Sequence, residues 1–176
     1  MAKLYNGEYQ YKQASIKERA AMNNSQTYPL PSLEVHLGYW LRHVSNHVSG
    51  AFAQALQARQ VSVAEWVALW QIHNQREITP GALADLLGMT RGAVSKVLHK
   101  LESKGWIARA PCRDDNRVQW ITLTPKGEQI LPELAQLADS NDAHFFGCLS
   151  AEEQATLRNL LQKVAYTHQW TDVPIE

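Results

Sequence analysis

Long apolar runs are missing from this 176-residue sequence. No stretch approaches the roughly 18 consecutive apolar residues that cross a membrane, so no span is expected. The first residues hold no apolar core behind a basic start, and no secretion signal is expected either. Cysteine is scarce: Cys112 and Cys148 lie 36 positions apart without a C-x-x-C pair, which argues against a disulfide scaffold and points to the cytoplasm. Charge is thin as well, at 19% of residues, below the usual ~25%, and this favours burial of some surface in an oligomer. Signatures of catalysis are absent: there is no G-x-S-x-G, Walker A, H-E-x-x-H or dinucleotide fingerprint, so neither an enzyme nor a cofactor is expected.

What is present suits one compact domain with helical extensions. Hydrophobic residues make up 45%, ordinary for a globular chain. Formal net charge is zero, but the charge is unevenly placed. Residues 1–74 carry six basic and four acidic residues, and residues 75–127 carry nine against five. Residues 128–176 hold Arg158 and Lys163 against eight acids. A basic middle beside an acidic tail fits a nucleic-acid-facing module with a separate surface for other contacts.

Local signals divide the chain into elements. Residues 1–31 hold four of the six tyrosines and the run Asn23-Asn24-Ser25-Gln26, and read as an extension with a short helix near 12–22. From 32 to 58, Leu33, Leu37, Trp40, Leu41, Val44, Val48, Phe52 and Leu56 recur at helical spacing and give one apolar face. Ser62 with Glu65 has the capping-box form and starts a helix to about His73. Thr79 before Pro80 caps a short helix that Gly88 ends; Thr90 caps the next, which runs to Lys104 and stops at Gly105. Two strand-like runs follow, Trp106–Arg109 and Val118–Leu123, around a polar Cys112–Arg117 segment. Thr124-Pro125 opens a further helix, in which Pro132 is expected to bend the axis or mark the true first turn. Ser150 with Glu153 starts a last helix to about Trp170.

The densest information lies in residues 83–107. Small Ala84 lets two helices approach, Gly88 makes a tight corner, and Val94, Val97, Leu98 and Leu101 bury one face of the second helix. That is a helix-turn-helix layout. The opposite face carries Arg91, Gly92, Ser95, Lys96, His99 and Lys100 behind the cap Thr90, donors and small residues suited to a major groove. A lone helix with these residues would read as a solvated basic surface; the corner glycine and following hairpin favour DNA. The hairpin tip adds Arg113, Asp115 and Arg117, suited to phosphate or a narrow minor groove, although Asp115 and Asn116 also favour a turn.

These residues resemble the MarR (multiple-antibiotic-resistance regulator) family over about 33–170. The resemblance rests on Leu83-Ala84-Asp85-Leu86-Leu87-Gly88, Val94-Ser95-Lys96, Leu101-Glu102-Ser103-Lys104-Gly105, Asp115-Asn116-Arg117 and Leu123-Thr124-Pro125-Lys126-Gly127. It implies a mainly α (α+β) fold: a winged helix-turn-helix over 62–127 with a two-stranded wing, and dimerisation helices at 32–58 and 128–170. It further implies that Arg117 touches DNA from the wing while Asp115 orients it. The implied function is a homodimeric, ligand-responsive repressor on a pseudo-palindromic duplex. A winged-helix protein-interaction module that does not bind DNA is the alternative.

An effector would be small and aromatic or anionic, with His36, Trp40, His43, Trp66 and Trp70 as the candidate lining, since aromatic walls with imidazoles suit a planar organic acid. Trp66 and Trp70 read better as core than as pocket. His43 and His47 stand one turn apart, but no local cysteine or carboxylate completes a tetrahedral set, so no metal is expected. Cys112, between Arg109 and Arg113, reads better as a plain small residue than as a redox sensor.

Overall fold

The computed structural model describes residues 30–111, 119–170 and Val173. They belong to two compact units, one ending at Leu41 and the other beginning at Arg42. A single 3-10 turn, Leu33–Val35, precedes helix α1 (Leu37–Gln57). Then follow α2 (Val63–Gln75), α3 (Pro80–Leu87), α4 (Arg91–Ser103), β1 (Ile107–Pro111), β2 (Gln119–Leu123), α5 (Pro125–Phe146) and α6 (Ala151–Thr167). The expected segment 1–29, including the short helix near 12–22, lies outside the described residues.

Helix starts follow the local chemistry closely. The Ser62 hydroxyl accepts the Glu65 N–H at 3.2 Å while the Glu65 carboxylate accepts the Ser62 N–H at 2.7 Å, so two of the orphan donors at the start of α2 are satisfied reciprocally. Ser150 and Glu153 repeat the arrangement at α6. Thr79, Thr90 and Thr124 each accept one N–H from three residues on. Helix ends use left-handed residues: the Met89 N–H reaches the Ala84 carbonyl around Gly88 (φ 60°), and the Trp106 N–H reaches Leu101 around Gly105 (φ 72°). Two further ends use the same geometry with glutamine in place of glycine, at Gln60 (φ 58°) and Gln169 (φ 57°).

The core of the second unit is built by the helix-turn-helix and the elements around it. Leu56, Leu69, Ile72, Leu83, Leu87, Val94, Leu98, Leu101, Ile121 and Leu134 are fully buried, each contributing about 1.5–3 kcal/mol relative to exposure. β1 and β2 pair antiparallel with Ile107 opposite Leu123 and Arg109 opposite Ile121. A third segment completes the sheet, because Ile78 and Ile121 exchange N–H to carbonyl bonds of 3.2 and 2.9 Å. β2 therefore has partners on both sides, and the wing root is fixed to the segment between α2 and α3.

Two helix boundaries differ by three residues or more from the sequence reading. The first long helix begins at Leu37 rather than 32, because Ser32 makes no side-chain cap and His36 adopts extended backbone. Its apolar stripe exists, yet of the eight stripe residues only Leu56 is buried within the chain. α5 runs unbroken through Pro132 from its true first turn at Pro125. The last helix ends at Thr167, not Trp170, because the backbone turns left-handed at Gln169.

Candidate nucleic-acid interface

The corner between α3 and α4 is set by chain chemistry. Gly88 takes a left-handed conformation that costs a β-carbon-bearing residue roughly 1–2 kcal/mol. Ala84, 2% exposed, has no bulk to hold the two helices apart. Thr90 then starts α4 by accepting the Ala93 N–H at 3.2 Å, leaving the N–H groups of Arg91 and Gly92 at the helix start for an outside acceptor.

Helix α4 is two-faced. Val94, Val97, Leu98 and Leu101 are buried, whereas Thr90, Arg91, Gly92, Ser95, Lys96, His99 and Lys100 are all exposed. The structure thus brings every expected recognition-helix residue onto one open face. No acid pairs with Arg91, Lys96 or Lys100 among the described residues. At Gly92 a β-carbon would meet nothing within 4 Å, so its smallness answers no packing need inside the chain.

The wing contributes its two strands; its tip, with Cys112, Arg113, Asp115, Asn116 and Arg117, lies outside the described residues. Two basic residues counted in the positive middle of the chain are paired with acids. The Arg109 Nε lies 3.1 Å from Glu102. Lys104 lies 2.9 Å from Glu65, which is 3% exposed and the one buried charged residue among the described residues. Burial would raise the Glu65 carboxyl, but the Lys104 ammonium and the Ser62 N–H outweigh it and hold the group below its ordinary value of 4.5. Sequence reasoning missed this pairing, and only the capping-box role of Glu65 hinted that its side chain is held in place.

The expected effector residues are spread across both units. In the first, His36 is exposed, and the Trp40 indole donates to the Glu34 carbonyl at 2.8 Å and meets Tyr39 edge-on at 5.3 Å. In the second, His43 stacks edge-on with His47 at 5.0 Å. Trp66 packs on the core beside Phe52, and a ladder continues through Trp70 to His73 at ring separations of 5.5 and 6.2 Å. The reading of Trp70 as core is corrected, since it is 41% exposed on the face of α2 opposite Ala68 and Ile72. Two open clefts elsewhere contain neither tryptophan. One, about 470 Å³, is lined by His73, Arg76, Thr122 and Glu128 among others. The second, about 360 Å³, is lined by Arg59, Lys104, Trp106 and Lys126 among others.

Comparison with known proteins agrees with this geometry. The model of the MarR family matches residues 61–118. A cysteine-to-serine mutant of MarR from E. coli is 31% identical, with a TM-score of 0.65, and the match covers 73% of this chain and 96% of that one. The same mutant solved with operator DNA is 30% identical over 76% of this chain and 99% of that one, at a TM-score of 0.64. BpsR from Bordetella bronchiseptica, whose DNA binding is regulated by 6-hydroxynicotinic acid, shares the fold at a TM-score of 0.66 and 21% identity, over 77% of this chain and 97% of that one.

Proposed function

This chain belongs to the MarR family of winged-helix transcription regulators, and from that premise we propose that it acts as a homodimeric, ligand-responsive repressor on a pseudo-palindromic duplex. The observation that carries the reading is the exposed face of α4, where Arg91, Lys96 and Lys100 stand without acidic partners among the described residues. The N-terminal turn of this helix reads base edges, with Thr90, Arg91, Gly92, Ser95 and Lys96 nearest the groove and His99 and Lys100 toward the backbone. Arg113 and Arg117 add phosphate or minor-groove contacts from the wing, with Asp115 orienting Arg117.

Pairing is supported by α6. This 17-residue helix has no buried residue, and Leu160, Leu161 and Val164 are 56%, 44% and 50% exposed. A surface helix in a protein takes most of its stability from covering its apolar face. A second copy offers the same stripe, and two-fold pairing sets two recognition helices about 34 Å apart, one turn of DNA. The effector is a small aromatic or anionic molecule; the ladder from Trp66 to the exposed Trp70 and His73 supports an aromatic one. Such a ligand releases DNA if it binds better to a dimer with the wrong helix spacing.

Fluorescence anisotropy with the chain's own upstream DNA and an unrelated duplex of equal length tests the reading at several salt concentrations. Preference for the upstream duplex, with affinity falling steeply as salt rises, is the expected result. An Arg91→Ala, Lys96→Ala, Arg117→Ala triple variant that keeps wild-type affinity would overturn it in favour of a protein-interaction module.

A further inference from the structure

The C-terminal end of α4 carries a device that the DNA-binding face does not use. Lys104 is the last residue before the left-handed Gly105, and its ammonium donates to the Gln60 carbonyl at 2.7 Å and to the Glu65 carboxylate at 2.9 Å. It also lies 4.8 Å from the centre of the Trp106 ring. An ammonium has three donors. Two of these are committed inside the chain and the remaining side faces an aromatic ring, so little is left for a phosphate. Glu65 is in turn held by the Ser62 backbone N–H in the capping box. The recognition helix is therefore tied at one end to the start of α2 and to the turn between α1 and α2, 39 and 44 residues away in sequence.

We propose that Lys104 is a positioning residue for DNA recognition: with Glu65 and the Gln60 carbonyl it fixes the angle at which α4 leaves the core, and it makes no phosphate contact itself. The inference rests on the DNA-binding reading above. Its physical basis is leverage. Thirteen helical residues span roughly 20 Å, so a tilt of about 10° at the tied end displaces the reading end by roughly 3 Å. Hydrogen bonds to base edges tolerate only a few tenths of an ångström. Loss of the tie scatters the orientation of Arg91 and Lys96 while leaving every charge that faces DNA in place.

The test compares Lys104→Met, Glu65→Gln, their combination and Lys100→Met with the wild-type chain. Anisotropy is read on the upstream and unrelated duplexes over a salt series, with a melting curve for each variant. Lys104→Met is expected to lose about tenfold in preference for the upstream duplex, comparable to one base contact, with the salt slope unchanged. Glu65→Gln is expected to lose a similar factor although it removes a negative charge, and the double variant is expected to be no worse than either single one. Lys100→Met marks the alternative, a phosphate contact whose loss lowers the slope by about 0.9. A slope reduced in that way by Lys104→Met, or a Glu65→Gln chain that binds as tightly as wild type or tighter, overturns the proposal while the DNA-binding reading stands. If Lys104→Met does not fold, Glu65→Gln decides alone, supported by Lys104→Arg, which keeps the pair and should retain affinity within about threefold. A wild-type chain that binds neither duplex at low salt overturns the DNA-binding reading and this proposal together.

Discussion

At Gly92 a methyl group would find open space, inside a helix whose neighbouring turns are otherwise ordinary. Gly92→Ala should accordingly raise stability, by up to about 1 kcal/mol, because alanine loses less backbone entropy on entering a helix. The same change should weaken DNA binding if the helix start lies against the duplex; a thermal melt and an anisotropy titration on one sample separate the effects. Glu65 behaves in the opposite sense, as a group whose charge the fold needs. Its carboxyl titrates below 4.5, so its contribution is complete above that value and lost as pH falls through the lowered one. Wild type should melt above Glu65→Gln at pH 7, and the gap should narrow steadily below about pH 4.5. The Glu65–Lys104 pair was not legible in the sequence, because the two residues meet across 39 positions and no local spacing announces the contact.

Among the elements, starts were easier to read than ends. Ser62, Thr79, Thr90, Thr124 and Ser150 announce helices because a side chain three residues from its acceptor is a local event. Gly88 and Gly105 announce ends for the same reason, since only glycine enters the left-handed region freely. Gln60 and Gln169 do the same work without a recognisable residue, which is why the last helix was expected to run on to Trp170. Gln60→Gly should therefore stabilise the chain by about 1 kcal/mol, since the Gln60 group that holds Lys104 is its backbone carbonyl, which glycine keeps. Guanidinium chloride melts would show it as a higher midpoint at constant slope. The single-residue bridge from Ile78 to Ile121 was equally hidden, because one extended residue between two helices has no periodicity to detect. The exposed face of α4 was legible throughout, since amphipathic spacing within thirteen residues depends on nothing beyond the helix.

Across the whole molecule, the positive middle of the chain is less available than a residue count implies. Arg109 and Lys104 are paired with Glu102 and Glu65, whereas the α4 cations Arg91, Lys96 and Lys100 have no acidic partner among the described residues. The salt dependence of binding should fall short of what all nine basic residues of that region would give, since Lys104 and Arg109 are committed inside the chain. Leu161→Glu, on the outer stripe of α6, should leave the monomer's winged-helix core folded, because α6 adds no residue to that core. On the proposed pairing, it should shift the chain from dimer to monomer in sedimentation and abolish preference for a two-half-site duplex, leaving weak non-specific binding.

That uncovered helix also bears on how much regulator a cell holds. On the proposed pairing, a chain newly made at low abundance displays the apolar stripe of a seventeen-residue helix until it meets its counterpart. Such segments are what proteases and chaperones capture, whereas the paired form hides them. Turnover then falls as abundance rises, and scarce chains are cleared fastest. The level of active regulator consequently responds to synthesis with a threshold rather than in proportion.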